Sequence, residues 1–275
     1  MLRQHIIKLG PVRTRYFEVG DVSAPTVVLI HEGGFGGDAL NTFEAVAELL
    51  SDEYRVVLPD MLGFGGTDKA VFFGENPYAP RLRHLSCFFD ALDIREAHVV
   101  GNSFGGGMTL RLSMLPETSW RMLSATSISG TGGPFRLPEA LADMAGYHPS
   151  IDAAAKLDTW VLPEGVALPE HARARFESSM IPGQWEALMA MSLRNPAMAE
   201  KAGNWDLPEA LSASTVRTLL IAGSGDRMLE AGWHEKTAAH IPVVETHVME
   251  GAGHSPNIDQ PQAVVDILRE WFSRS

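Results

Sequence analysis

The segment HVVGNSFG, residues 98–105, joins a short apolar stretch to a Gly-x-Ser-x-Gly turn, and the residues after it up to position 115 suit a helix. A serine raised above the end of a strand needs a strained backbone, and small residues two before and two after it let strand and helix approach closely. This strand-turn-helix context is typical of a nucleophilic serine. Ser103 is therefore the first candidate catalytic residue.

Similar apolar, β-branched segments recur along the chain and are separated by segments of helix length. The predicted strands are residues 26–30, 55–58, 97–100, 124–129, 218–222 and 245–249, and the predicted crossover helices are residues 41–50, 81–92, 105–115, 233–240 and 261–272. Apolar strands that alternate with helices are typical of a parallel sheet buried on both faces. The sequence thus predicts an α/β fold with a mostly parallel central sheet flanked by helices, and an antiparallel edge strand at residues 13–19.

The strand pattern stops between residues 133 and 207, where prolines separate short helical segments such as residues 184–193. A structureless loop of this length is uncommon inside a compact domain. We therefore expect residues 133–207 to form a helical lid over the sheet. The core domain would then consist of two parts, residues 1–132 and residues 208–275.

Composition and charge limit the partners. Lys and Arg total 22 against 34 Asp and Glu, which gives a formal net charge of −12. Since phosphate binding needs a basic surface, nucleic acid is not expected as a partner. No apolar stretch has the length of a membrane-spanning helix, and the single cysteine, Cys87, fits a reducing, cytoplasmic setting. The expected partner is a small-molecule substrate, and whether the chain forms a homo-oligomer stays open.

The ends of two later predicted strands supply the partners that a nucleophilic serine requires. Asp226, in GSGDR, follows the strand at 218–222, and His254, in GAGHS, follows the strand at 245–249. A serine hydroxyl is a weak nucleophile that needs a base, and the base needs an orienting acid. Because the carboxyl ends of parallel strands meet at one edge of a sheet, the chain order Ser, Asp, His predicts a catalytic triad of Ser103, Asp226 and His254.

A glycine-rich loop, HEGGFGG at residues 31–37, follows the predicted strand 26–30 and offers backbone N–H groups. In acyl transfer such donors stabilise the oxyanion, one from a loop of this kind and one from the residue after the nucleophile. Gly33 and Phe104 are the predicted oxyanion donors.

The same loop permits two other interpretations. Residues 34–39 match the dinucleotide fingerprint G-x-G-x-x-A, and Asp60 lies where a ribose contact would be expected, although it also fits a hydrogen-bonded turn. A dinucleotide site would leave the three triad residues without a role. The zinc motif H-E-x-x-H begins at His31 but has Phe35 where the second histidine is required, so no metal and no cofactor is predicted.

Taken together, these motifs resemble the α/β-hydrolase superfamily over nearly the whole chain. Within it the chain most resembles the meta-cleavage product hydrolases, whose H-G-G-G-P-G loop is mirrored at residues 31–36 and whose G-N-S-x-G-G elbow is mirrored at residues 101–106. The resemblance implies hydrolysis of a carbon–carbon bond in a 2-hydroxy-6-oxo-dienoate from aromatic-ring breakdown. The alternatives are a carboxylesterase or lactonase acting on a small hydrophobic ester, and a receptor that binds a small ligand with little turnover.

The resemblance also implies substrate contacts. Asn102 matches the family asparagine that helps to hold the substrate's oxygen groups, and Arg175, after Pro169 and Glu170, matches an arginine that binds the dienoate end. Arginine suits that task because its planar fork meets a carboxylate bidentately. Gly34, in the glycine-rich loop, and Ser255, next to the predicted base, complete the expected substrate-binding set.

Three positions depart from the family pattern. Glu32 replaces a glycine and Phe35 replaces a proline in the glycine-rich loop, and Ser255 replaces the tryptophan that usually follows the catalytic histidine. These changes leave the predicted triad intact but alter the walls of the site. The substrate class is therefore the least determined part of the prediction.

Overall fold

Residues 1–71, 76–115, 118–130, 134–190 and 207–274 are described by the computed structural model. Their strands are β1 (Arg3–Leu9), β2 (Val12–Val19), β3 (Thr26–Ile30), β4 (Arg55–Pro59), β5 (Glu96–Asn102), β6 (Arg121–Ile128), β7 (Thr218–Gly223) and β8 (Val244–Met249). They form an eight-stranded sheet in the order β1-β2-β4-β3-β5-β6-β7-β8. β2 pairs antiparallel with β1 and β4, and the other neighbours pair in parallel. The predicted α/β class with a mostly parallel sheet is confirmed.

Helices cover both faces of this sheet. They are α1 (Ala39–Leu50), α2 (Tyr78–Ala91), α3 (Phe104–Leu112), α4 (Pro138–Ala145), α5 (Ile151–Val161), α6 (Pro169–Ser179), α7 (Gln184–Ala190), α8 (Trp233–Ala238), α9 (Pro256–Asp259) and α10 (Pro261–Ser273). Successive strand residues point to opposite faces. Val28 packs in the cluster that contains Phe88 of α2, whereas Val27 packs with Phe43 of α1 and Leu268 of α10. Burial on both faces explains why the strands read as unbroken apolar segments.

The predicted edge strand is wrong in one respect. The segment at residues 13–19 belongs to β2, which is antiparallel as expected, but β2 lies between β1 and β4 and is not an edge. β1 is the edge strand at this end of the sheet, and it is joined to β2 by a tight turn in which Gly10 takes a left-handed φ of +58°. Most residues of β1 are exposed or half-buried, and it carries basic and polar side chains, so it lacks the apolar pattern of the interior strands.

A helical insertion separates β6 from β7. Helices α4 to α7 lie in it, and the predicted helix at residues 184–193 corresponds to α7, whose positions beyond Ala190 fall outside the described residues. The insertion packs on the glycine-rich loop, where Phe35 stacks on Tyr147 with ring centroids 4.8 Å apart. The lid role of the insertion and its boundaries at 133 and 207 stay predictions. None of the helices in the described residues is both long enough and apolar enough to span a membrane.

Candidate active site

Ser103 occupies a strained turn between β5 and α3. Its φ of 53° and ψ of −114° lie in a region that residues other than glycine rarely adopt. Glycine flanks it on both sides for steric reasons: a Cβ on Gly101 would come within 2.1 Å of the Gly105 carbonyl oxygen, and one on Gly105 would come within 2.0 Å of the Ile30 carbonyl oxygen. The close approach of strand and helix therefore requires the two glycines of the Gly-x-Ser-x-Gly turn.

Ser103, His254 and Asp226 meet in one hydrogen-bonded line. His254 Nε2 lies 2.8 Å from Ser103 Oγ, and His254 Nδ1 lies 2.8 Å from Asp226 Oδ2. Only 3% of the His254 side chain and 4% of the Asp226 side chain are exposed, so the pair is shielded from water. With Nδ1–H donated to the carboxylate, Nε2 is left to accept the hydroxyl proton. This arrangement can activate a serine oxygen.

The acid is fixed from behind by backbone donors. Asp226 Oδ1 accepts hydrogen bonds from the N–H groups of Met228 at 2.8 Å and Leu229 at 3.3 Å. Its loop also lies against the loop of the histidine, because a Cβ on Gly223 would come within 2.0 Å of the Gly253 carbonyl oxygen. The loops after β7 and β8 thus hold the carboxylate and the imidazole in register.

The two residues predicted as oxyanion donors are neighbours. A Cβ on Gly33 would lie 2.6 Å from Cβ of Phe104, so the glycine-rich loop runs directly beside the start of α3. Phe104 is the first residue of α3, and the first N–H groups of a helix have no partner within it. Gly33 and Phe104 thus lie side by side at the start of the helix that follows Ser103, and the role of their N–H groups stays a prediction.

His31 supports the glycine-rich loop, and both of its ring nitrogens are hydrogen-bonded within the protein. Its Nε2 accepts the N–H of Met61 at 2.9 Å, so its Nδ1 carries the proton and donates to the Glu32 carbonyl oxygen at 2.6 Å. Burial lowers the pKa of His31 and keeps the ring neutral. Among the residues that the structure describes, no three His, Cys, Asp or Glu side chains are grouped as a metal site.

Arg175 lies at the centre of a buried charge network. Its Nε donates to Asp158 Oδ1 at 2.8 Å, and its Nη1 donates to Glu32 Oε1 and to the Phe35 carbonyl oxygen, each at 2.9 Å. The arginine is 2% exposed. Burial alone would lower the pKa of Arg175, but the two carboxylates raise it, so the guanidinium is firmly charged.

His171 completes the network. Its Nδ1 lies 2.9 Å from Asp158 Oδ2 and its Nε2 lies 3.0 Å from the Asn41 carbonyl oxygen, so both ring nitrogens face acceptors. Burial would raise the pKa of Asp158, but the hydrogen bond from His171 and the charge of Arg175 lower it. Two acids, Glu32 and Asp158, thus share one arginine, and Asp158 also contacts His171.

Two cavities meet at the serine. The larger, of about 310 Å³, is called here the Glu32 chamber and is lined by Glu32, Gly34, Ser103, Met144, Leu157, Trp160, Val161, Arg175 and Met228. The smaller, of about 230 Å³, is called the Ser129 chamber and is lined by Ser103, Ser129, Arg136, Met228, Leu229 and His254. A substrate whose reacting carbon lies over Ser103 can therefore extend in two directions. Gly34 and Arg175 line the Glu32 chamber, and their contact with substrate stays a prediction.

Asn102 and Ser255, predicted to bind substrate, lie next to Ser103 and His254 in the chain and are hydrogen-bonded to each other, and their contact with substrate stays a prediction. Both are fully buried, and the Ser255 hydroxyl donates to Asn102 Oδ1 at 2.9 Å. Asn102 Nδ2 is shared between the carbonyl oxygens of Ile128 and His254. Neither side chain lines the two chambers at Ser103. Their polar groups are used within the protein because the residues before the serine and after the histidine face each other there.

Asp60 is likewise committed to the fold. It is fully buried, its Oδ1 accepts the N–H of Ala39, and its Oδ2 accepts the N–H of Gly66 and the Nε–H of Arg15. These bonds tie the loop after β4 to the start of α1. The geometry favours the hydrogen-bonded turn over the ribose contact of a dinucleotide site.

Comparison with known proteins agrees with this geometry. A model of the alpha/beta hydrolase family matches residues 27–267. The chain belongs to the alpha/beta hydrolase family. Membership confirms the fold expected from the resemblance, and it accounts for a serine turn after β5 with an acid and a histidine after β7 and β8.

This alpha/beta hydrolase is similar to several named enzymes along its length. It is 27% identical over 276 residues to the 2-hydroxy-6-oxo-2,4-heptadienoate hydrolase of Pseudomonas putida. The matched region covers 98% of this chain and 95% of the relative. It is 28% identical over 274 residues to a 2-hydroxymuconate semialdehyde hydrolase of a Pseudomonas species, with 99% and 94% covered. The predicted likeness to meta-cleavage product hydrolases is confirmed.

Solved structures resemble this alpha/beta hydrolase closely in shape. A meta-cleavage product hydrolase from Pseudomonas fluorescens shares 29% identity with a TM-score of 0.85, with 98% of this chain and 97% of the other covered. A carboxylesterase from Bacillus subtilis has a TM-score of 0.82 at 17% identity, with 100% and 93% covered. At that identity the second likeness shows the fold alone.

The sequence did not indicate every residue at the site of this hydrolase. Asp158 and His171 sit on α5 and α6 without a motif, and only the folded chain brings them to Arg175. Ser129 and Arg136 line the Ser129 chamber and were not predicted. Ser129 is buried with a left-handed φ of 48°, and its hydroxyl has no hydrogen-bond partner in the described part of the chain.

Proposed function

We propose that this alpha/beta hydrolase cleaves a carbon–carbon bond next to a ketone carbonyl in a vinylogous 1,5-diketo substrate, of the 2-hydroxy-6-oxo-dienoate type formed by aromatic-ring opening. Ser103 is the nucleophile, His254 the general base and acid, and Asp226 the orienting acid. The observation that carries the proposal is the 2.8 Å contact of His254 Nε2 with Ser103 Oγ at the point where two chambers meet. Relatives named for such substrates support it.

The first half of the reaction forms an acyl-enzyme. Ser103 Oγ bonds to the carbonyl carbon while its proton passes to His254 Nε2, and the carbonyl oxygen becomes an oxyanion held by the N–H groups of Gly33 and Phe104. The substrate reacts as its diketo tautomer, in which the dienol O–H proton has moved to the carbon next to the ketone. When the carbonyl re-forms, the bond between that carbon and the former ketone carbon breaks. The electron pair goes to the departing carbon, is delocalised over the conjugated carbonyl, and is quenched by the proton on His254.

The second half releases the acid. A water molecule gives one proton to His254 Nε2 and bonds through its oxygen to the acyl carbon. Collapse of this adduct breaks the bond to Ser103 Oγ, which takes back the proton from His254. Asp226 stabilises the imidazolium in both halves, since its Oδ2 accepts from His254 Nδ1. The sum is one water consumed, one carboxylic acid and one protonated carbon fragment formed.

A second candidate function is hydrolysis of an uncharged ester or lactone. It is favoured by the pairing of Arg175 with Glu32 and Asp158, because the described residues that line the Glu32 chamber then include no unpaired cation for the carboxylate of a dienoate. The same triad steps apply, but the leaving atom is oxygen. Small-molecule hydrolysis is common to both candidates, and the single cysteine supports the cytoplasm as the proposed location.

A substrate panel tests the proposal. We expect purified enzyme to cleave a 2-hydroxy-6-oxo-dienoate or its methyl ester, and the loss of the dienol absorbance measures this cleavage. The kcat/KM for these substrates should be higher than for short p-nitrophenyl esters or lactones. A fluorophosphonate should label Ser103, as read by peptide mass spectrometry, and Ser103→Ala should not be labelled. If the enzyme turns over esters or lactones well but cleaves neither dienol substrate, the second function replaces the first. If wild type is neither labelled nor active, both functions are rejected.

A further inference from the structure

We infer that Glu32 serves as a built-in carboxylate ligand of Arg175, and that the Glu32 chamber therefore accepts the uncharged end of a substrate, such as an ester, amide or ketone, in preference to a carboxylate. The inference rests on the proposed function and specifies its substrate class. It concerns the position where the family resemblance would place a substrate carboxylate.

The position of the Glu32 side chain is the first support. One carboxylate oxygen accepts from Arg175 Nη1 at 2.9 Å, and the other accepts the N–H of Gly34. The glutamate is 4% exposed, yet it lines the chamber that contains Ser103. A Cβ on Gly34 would lie 2.8 Å from Glu32 Oε2, and one on Gly37 would lie 2.5 Å from Glu32 Oε1. The carboxylate thus fills a cradle of glycines directly beside the arginine.

The balance of charge is the second support. Arg175 is paired with both Glu32 and Asp158, and Asp158 also contacts His171. A substrate carboxylate placed at Arg175 would be a third acid at one arginine, next to a buried carboxylate. Two neighbouring carboxylates repel each other in a site shielded from water, and the substrate carboxylate would not recover the hydration that it loses on binding. A neutral end group avoids both penalties.

Arg175 can still contribute to binding a neutral group. In the described residues its hydrogen bonds use Nε and Nη1, which leaves Nη2 as a donor for a carbonyl oxygen. The rest of the chamber is mainly apolar, with Met144, Leu157 and Val161 among its walls. These surroundings suit a substrate end that is apolar and carries one hydrogen-bond acceptor.

Arg136 offers the only other arginine among the residues that line the two chambers, and it belongs to the Ser129 chamber. Among the described residues that line the Glu32 chamber, a substrate carboxylate therefore has no arginine other than Arg175.

The test uses substrates that differ only in charge. A 2-hydroxy-6-oxo-dienoate and its methyl ester share the scissile bond, and the ratio of their kcat/KM values is measured for wild type, Glu32→Gln and Glu32→Gly. Glu170→Gln is the matched control, since Glu170 lies on α6 with its side chain 92% exposed. We expect wild type to prefer the ester by roughly tenfold or more, and both Glu32 variants to shift the ratio toward the free acid by about ten- to a hundredfold.

The outcomes are separable. A wild type that prefers the free acid, with a ratio unchanged in Glu32→Gln, overturns the inference and leaves the proposed function standing. Thermal melts show whether Glu32→Gly is folded, and the isosteric Glu32→Gln keeps the experiment decisive if it is not. If neither dienol substrate is cleaved, the first proposed function fails, and p-nitrophenyl succinate against its methyl ester is used as the charge pair. Loss of the ester preference in that pair, or no turnover of it, also overturns the inference.

Discussion

The hydroxyl of Ser255 donates to Asn102 Oδ1 at 2.9 Å, which links the residue after the histidine to the residue before the nucleophilic serine. Asn102 Nδ2 lies 3.2 Å from the Ile128 carbonyl oxygen and 3.3 Å from that of His254. One fully buried amide therefore connects the ends of β5 and β6 with the loop after β8. We regard Asn102 as a positioning residue for the distance between Ser103 and His254.

Replacement of this amide should cost both stability and rate. Asn102→Ala leaves the Ser255 hydroxyl and the His254 carbonyl oxygen without this partner, whereas the Ile128 carbonyl oxygen keeps the N–H of Ser103. We expect a loss of about 2 to 3 kcal/mol in the free energy of unfolding. The kcat should fall at least tenfold with little change in KM, because Asn102 lines neither chamber. Urea unfolding and steady-state kinetics check this. A raised KM at unchanged kcat would instead mean that Asn102 binds substrate, as the family resemblance implies.

Two substitutions of the serine separate chemistry from strain. Ser103→Ala and Ser103→Gly both remove the nucleophile, and activity should fall by up to about 10⁶ in each. Only glycine relieves the backbone at φ 53°, so Ser103→Gly should be more stable than Ser103→Ala by about 1 kcal/mol. Differential scanning calorimetry compares the two. Residual kcat above about a tenth of wild type in either variant would remove Ser103 from the mechanism.

Asp226→Asn should lower kcat strongly while the fold persists. The backbone N–H groups of Met228 and Leu229 hold Oδ1, so the new amide nitrogen would face His254 Nδ1. That contact favours the tautomer with its proton on Nε2, which cannot accept from Ser103. The expected loss in kcat is on the order of 10³ to 10⁴. Asp60 is not expected to take over this role. An Asp226→Asn enzyme with the kcat of wild type would show that another residue orients His254.

Buried histidines should make the fold sensitive to mild acid. Burial lowers the pKa of His84 and of His98 to about 4, with Arg81 and Arg217 adding to the effect, whereas the unfolded value is near 6.5. Between these values the unfolded chain binds more protons, so stability is full above pH 6.5 and falls as the pH drops toward 4. Each histidine should contribute on the order of 2 kcal/mol to this loss.

A paired substitution checks the assignment to buried histidine. His98→Gln should flatten the fall in unfolding free energy between pH 6.5 and 4, measured by urea titration at each pH. His247→Gln is the control, because His247 is exposed on β8. Equal pH profiles for wild type and His98→Gln would show that other groups cause the acid sensitivity.

Much of this hydrolase can be predicted from local sequence. The predicted strand at residues 26–30 coincides with β3, and the turns at Ser103 and Asp226 follow strands that read as apolar segments because they are buried on both faces. The turn at His254 follows β8, an edge strand with four exposed residues of six. The edge strand β1 was missed because its exposed face imposes no apolar pattern.

The chain by itself determined the alternation of strands and helices and the strained serine turn, and it predicted the acid and the base, since each depends on neighbouring residues and on the rule that parallel strands end together. The tertiary structure alone decided what the walls of the site do. Glu32 reaches Arg175 across 143 positions, and Ser255 reaches Asn102 across 153. Hydrogen bonds and ion pairs at such separations leave no local pattern, because their partners are chosen by packing of the insertion on the glycine-rich loop and of the strand ends on each other.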